Sequence, residues 1–180
     1  MWEPPVDHPL RRMFAGLAEH AFFSQLGVAD PPVIDYLSSL LSRFVHYDSV
    51  YRLRDSQGAS LMQIAGMVRE AQDLPAGGRT QREYFRHIGD FALFWTGLFP
   101  EALNRERRRK DAVVDYTLQG KRSYWLASTF DDEPYRDEQP VLRKLSEQFE
   151  LCALGLREVR REWEESVAEG GAALPGRLIQ

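Results

Sequence analysis

Seven apolar residues toward the C-terminal end constrain this chain most. Leu142, Leu145, Phe149, Cys152, Leu156, Val159 and Trp163 are spaced three, four, three, four, three, four. Such a heptad stripe fits an α-helix that buries one continuous seam. It predicts a long helix from about Glu138 to Val167. Arg157, Glu158, Arg160, Arg161, Glu162, Glu164 and Glu165 flank the stripe as a solvated back face. The seam has two readings. It packs into the bundle of its own chain, or its far end, Leu156, Val159 and Trp163, extends past the bundle as a homodimer seam.

Upstream segments show helical periodicity with caps. Asp7 is placed to cap a first helix with Pro9 in its first turn, and Gly27 to end it. Asp30 and Pro31 open a second helix whose stripe is Val33, Ile34, Leu37, Leu40, Leu41 and Phe44. Tyr47 and Tyr51 continue that stripe to about residue 52. VYRL at 50–53 alternates and admits a short β piece. DSQG at 55–58 is a turn. Ser60 and Gln63 match a capping box for a third helix, with Leu61, Ile64, Ala65, Val68 and Ala71 on its buried side. DLPAGG at 73–78 is a loop.

Thr80 and Glu83 match a second capping box. It opens the helix TQREYFRHIGDFALFWTG, with Tyr84, Ile88, Phe91, Ala92, Trp95 and Leu98 along its apolar side. Gly97 and Pro100 end it. A short helix over Pro100–Arg108 can follow, and Asp111 is placed to cap the next. In that one, Tyr116, Gly120, Ser123 and Ala127 form a face of mostly small residues. A glycine inside a helix costs about 1 kcal/mol relative to alanine; close approach of a neighbour would justify Gly120. DDEPYRDE at 131–138 is an acidic, hydrated loop.

The expected fold is therefore all-α: one domain, a bundle of five to seven helices over 1–168, with the Thr80–Gly97 helix near its centre. Residues 169–180 form a flexible tail. A chain of 180 residues buries roughly 70% of its unfolded surface and needs no metal or disulfide to fold. Its single cysteine, Cys152, excludes an internal disulfide and a multi-cysteine metal knuckle. The net charge of −4 supplies no general field for nucleic acid. The N-terminus lacks the pattern of a signal peptide, and no run of about 18 apolar residues occurs, so no membrane is involved and the cytoplasm is the default address.

Glu83, His87 and Asp90 share one flank of the central helix at i, i+4 and i+7. This spacing lets a carboxylate take a proton from an imidazole, or lets both face a metal or small ligand. The plainer reading is a structural one. Glu83 caps, His87 lies at the core edge and bonds Asp90, and Asp90 pairs with Arg82, Arg86 or another arginine. No Glu-x-x-His motif supports a di-metal bundle, and His20 and His46 fall off the apolar stripes. RERRRK at 105–110, with Arg107, Arg108 and Arg109, is the one basic cluster. Lacking interleaved aromatics, it suits an acidic partner or a solvated connector better than nucleic acid. Lys121, Arg122 and Ser123 can line an anion pocket or simply snorkel, and Tyr124 and Trp125 read as core.

No nucleophile motif or phosphate-cradling loop is present. The sequence therefore points to a non-catalytic helical interaction or scaffold protein. The alternative is a helical-bundle enzyme or sensor binding a metal or small ligand near His87 and Asp90; the sequence names no cofactor.

Overall fold

Pro9, at the first position of the first helix, has a φ suited to helix and no N–H to leave unsatisfied. The residue before it does the capping: His8 Nδ1 accepts from the Leu10 N–H at 3.2 Å. The cap is thus His8 rather than Asp7. The computed structural model describes residues 5, 7–45, 47–60, 62–103, 115–168 and 170.

Eight α-helices have both ends among these residues: α1 Pro9–Glu19, α2 Pro31–Phe44, α3 Tyr47–Val50, α4 Ile64–Asp73, α5 Arg79–Leu98, α6 Tyr116–Ala127, α7 Gln139–Glu147 and α8 Phe149–Ala168. A π-helical stretch, His20–Gln25, extends α1, and a 3₁₀ turn, Arg136–Glu138, precedes α7. No strand occurs among the described residues; VYRL leads only to an isolated bridge between Arg54 and Ser60. The protein is all-α. No helix of the described residues is long and apolar enough to cross a membrane. The helix count exceeds the five to seven expected because two long periodic segments divide. The second stops at Phe44 and restarts at Tyr47, and the last divides at Gln148.

The helices group into two compact units. Met1–Val50 and Leu154–Gln180 form the first, and Tyr51–Ala153 the second. Helix α8 starts in the second and continues in the first from Leu154.

In the first unit α1 packs on α2. Gly27, at φ +67°, ends the π-helical extension as a left-handed terminator. The buried hydroxyls of Ser38 and Ser42 donate to the carbonyls of Ile34 and Ser38, four residues back, at 2.8 and 2.7 Å. This satisfies them inside an apolar helix. Gly155 of α8 lies directly against Phe22: a Cβ built there would meet the ring at 2.1 Å. Leu156, Val159 and Trp163 are buried within the chain, and Trp163 meets Phe14 edge to face at a centroid distance of 5.6 Å. The far end of the heptad seam is therefore internal, and the uncovered face on which a homodimer seam depends is not there.

In the second unit α5 packs chiefly on α6, with α4 also against α5 and α7 against α6. The small-residue face of α6 performs as its spacing suggests. A Cβ on Gly120 would meet the Phe149 ring at 2.4 Å and the Ala92 Cβ at 2.9 Å. The stripe residues Leu142, Leu145, Phe149 and Cys152 are buried, so the heptad register continues through the break at Gln148. The i→i−4 bonds also continue there: Gln148 N–H to the Lys144 carbonyl at 2.8 Å and Cys152 N–H to the Gln148 carbonyl at 2.9 Å.

Both expected capping boxes are replaced. Gly78 occupies the N-cap of α5, so Thr80 is already inside the helix, and Gln81 does the local work. Its Oε1 accepts from the Gly77 N–H at 3.0 Å and its Nε2 donates to the Ala71 carbonyl at 3.1 Å, tying α5 to the end of α4. Ser60 donates its hydroxyl to the Tyr51 carbonyl at 2.8 Å, and Gln63 becomes the N-cap of α4. Asp115 caps α6, accepting from the Leu118 N–H at 3.0 Å. The expected capping residue Asp111 lies outside the described residues, as do most of the short helix expected over 100–108 and nearly all of the tail 169–180.

Candidate functional site

The middle of α5 is buried nearly all round. Arg82, Phe85, His87, Ile88, Gly89, Asp90, Phe91, Ala92, Leu93 and Phe94 are all enclosed. A helix in that position must satisfy every polar side chain it carries with a partner from outside its own turn. Arg52, from the segment after α3, serves Glu83 and His87, and Tyr124 of α6 serves Asp90.

His87 and Asp90 are both 0% exposed. The Nε of Arg52, from the segment after α3, donates to His87 Nδ1 at 2.9 Å. A guanidinium cannot accept a hydrogen bond, so Nδ1 is unprotonated and a neutral His87 carries its proton on Nε2. Arg52 Nη2 also donates to the Glu83 carbonyl at 3.4 Å and lies 3.8 Å from Glu83 Oε2. Arg52 thus joins Glu83 and His87 one turn apart. The imidazole neighbours the Phe91 ring, which in turn meets Tyr51 and Tyr116.

Asp90 takes a different direction. Tyr124 of α6, fully buried, donates its hydroxyl to Asp90 Oδ1 at 2.9 Å. Gly89 makes room for the ring, since a Cβ there would meet Tyr124 Cδ1 at 2.6 Å. The glycine and the aspartate therefore serve one contact, with the ring over the helix backbone and the hydroxyl on the next side chain.

The arginines expected to serve Asp90 serve Glu138. Arg82, 1% exposed, donates from Nη1 to Glu83 Oε1 at 2.7 Å and from Nη2 to Glu138 Oε2. Arg86 Nη2 reaches Glu138 Oε1 at 3.0 Å. The Tyr135 ring lies 4.1 Å from the Arg82 guanidinium carbon, in cation–π range. The end of the acidic loop is thus pinned to α5, and Glu83 acts in this charge network instead of capping.

Among the described residues no group of three or more His, Cys, Asp or Glu side chains could hold a metal ion. Arg107, Arg108 and Arg109 lie outside the described residues, as does His46. His20 is more than half exposed, with Nε2 3.6 Å from Glu162 Oε1. Sequence reasoning missed Arg52, Tyr124 and Glu138 as partners of this flank. The alternation in VYRL and the adjacent Tyr124–Trp125 pair were the available signals.

Trp125 departs from the core reading. Tyr124 is buried, whereas Trp125 is 46% exposed and Leu118 of the same helix is 59% exposed. The guanidinium carbon of Arg143 in α7 lies 5.7 Å from the Trp125 ring centroid. Comparison with protein-family models, curated proteins and solved structures gives no match to this chain.

Proposed function

We propose that this chain is a non-catalytic helical interaction or scaffold protein. The observation that carries this reading is the complete burial of His87 and Asp90, each bonded to a side chain from another element. A general base or metal ligand needs a face open to the reacting atom. Here Arg52 occupies His87 Nδ1, and Tyr124 occupies one oxygen of Asp90. Both contacts fix the position of α5, and both fit a framework whose functional surfaces lie elsewhere.

The second reading, a metal- or small-ligand-binding enzyme or sensor, draws on one observation. Two fully buried titratable side chains stand three residues apart on one helix, an arrangement often found at functional sites. Elemental analysis of protein purified without chelator, paired with native mass spectrometry, separates the two. The scaffold reading expects the bare polypeptide mass and no stoichiometric metal. Iron, zinc or manganese at one equivalent, or a bound organic mass, lost on His87→Ala while the fold is retained, would overturn it.

A further inference from the structure

The contact between Arg52 and His87 exists in one protonation state only. Arg52 Nε carries a hydrogen and donates it to His87 Nδ1 at 2.9 Å. A guanidinium neither accepts a hydrogen bond nor gives up its proton. A proton on Nδ1 would therefore set two N–H groups and two positive charges against each other. His87 is wholly buried and the Arg52 side chain is 22% exposed, so water screens little of the repulsion. Arg52 must then leave. Glu83 Oε2, 3.8 Å from its Nη2, is an acceptor to which it can turn.

Arg52 belongs to the segment 51–60, which is largely closed on itself. The Ser60 hydroxyl bonds the Tyr51 carbonyl, Arg54 bridges Ser60, and Asp55 Oδ1 accepts from the Gln57 and Ala59 N–H groups. The Arg52 side chain and the Tyr84 hydroxyl, which donates to the Arg54 carbonyl at 2.8 Å, tie this segment to α5. We propose that Arg52 and His87 form an acid-released latch, in which protonation of His87 at Nδ1 expels Arg52 and loosens the segment 51–60 from α5.

The groups around the imidazole set the direction. On α5, Glu83 and Asp90 favour a charged ring, but Glu83 is engaged by Arg52 and Arg82, and Asp90 accepts from Tyr124 of α6. Glu138, ahead of α7, is held by Arg82 and Arg86. The Tyr51 and Tyr116 rings meet Phe91, and phenols stay neutral far above this range. The buried side of α4, Ile64, Met67 and Ala71, carries nothing titratable. Arg52 touches the ring itself, and burial acts in the same sense, so the neutral ring is favoured. The stabilisation from the latch is complete above the ordinary histidine value of about 6.5 and is lost as pH falls below it.

The latch goes beyond the scaffold reading and needs neither partner nor metal. Its test is imidazole nitrogen NMR with amide hydrogen exchange on the full chain. Measurements run from about pH 7.5 to about pH 5, above the ordinary carboxylate range. The His87 nitrogens should report the Nε2–H tautomer at the upper end and protonation of Nδ1 on the way down. With the intrinsic pH dependence of exchange removed, residues 51–60 should exchange about tenfold faster or more, in step with that protonation. His87→Gln offers Arg52 an acceptor oxygen that takes no proton, so its exchange should not rise. The proposal is overturned if Nδ1 stays unprotonated throughout, or if it is protonated while 51–60 keeps its protection. It is also overturned if 51–60 loosens equally in folded His87→Gln. The first two outcomes are read on the wild-type chain and need no variant to fold.

Discussion

The Tyr124 hydroxyl donates to Asp90 Oδ1 at 2.9 Å, across the contact between α6 and α5, with both residues wholly buried. This bond joins a ring seated on Gly89 to a carboxyl group with no access to water. Removing the donor leaves a buried acceptor short of a partner, which costs more than the bond itself contributes.

Tyr124→Phe should therefore destabilise the chain by about 1–3 kcal/mol with little change in helix content. Gly89→Ala should also cost about 1–3 kcal/mol, because its methyl group displaces the same ring. The two act on one contact, so the double variant should cost less than the sum. Urea unfolding followed by circular dichroism measures all three; strict additivity would mean that the ring and the hydroxyl are not coupled.

Trp163 decides the role of the last helix. It is buried beside Phe14, so Trp163→Glu places a carboxylate in an apolar setting. The variant should unfold or aggregate, at a cost above about 3 kcal/mol. A folded, soluble Trp163→Glu monomer derived from a wild-type dimer in sedimentation would mean that this face is an interface after all.

Much of the helical framework could be read from spacing alone. The heptad stripe and the Gly120 face are local patterns, and each maps onto a buried side of its helix. The division at Gln148 left no trace, because the apolar register continues through it. Thr80 and Ser60 looked like caps because cap chemistry is common to many turns. Gly78 and Gln63 hold those places instead. The partners of the central flank were hidden by distance along the chain. Arg52 is 35 residues from His87, and Glu138 is 56 from Arg82. Tyr124 and Trp125 point about 100° apart on their helix, so one can be buried while the other is exposed. Only packing decides which one faces inward.

Glu138 serves two arginines at once, Arg82 and Arg86. Glu138→Ala removes one of the two carboxylates paired with the nearly buried Arg82, leaving Glu83 and the Tyr135 ring, and should cost about 1–3 kcal/mol. Amide hydrogen exchange should rise in 131–138 first, as that segment loses its tie to α5. Unchanged protection there would mean that the loop is held by other contacts.

Glu150 provides a pH-dependent contrast. The hydrogen bond from Lys121 holds its carboxyl below the ordinary value, a backbone hydrogen bond adds to this, and slight burial opposes it. Its stabilisation is complete above the ordinary carboxylate range near pH 4 and fades as pH falls through the lowered folded value. The pair is exposed, so Glu150→Gln should lose no more than about 0.5 kcal/mol at neutral pH. Wild type and variant should converge in acid. A gap that widens on acidification would contradict the sign of the shift.

The claim that His87 and Asp90 are framework rather than site is tested most directly by thermal unfolding with and without EDTA. A metal bound only to the folded state stabilises it in proportion to the logarithm of its concentration over Kd, so chelation would lower the midpoint. The account predicts identical wild-type midpoints in both buffers. It also predicts that His87→Ala is destabilised by about 1–3 kcal/mol in each, through loss of the Arg52 contact. A midpoint that EDTA lowers in wild type, and leaves unchanged in His87→Ala, would contradict the account and make the flank a metal site.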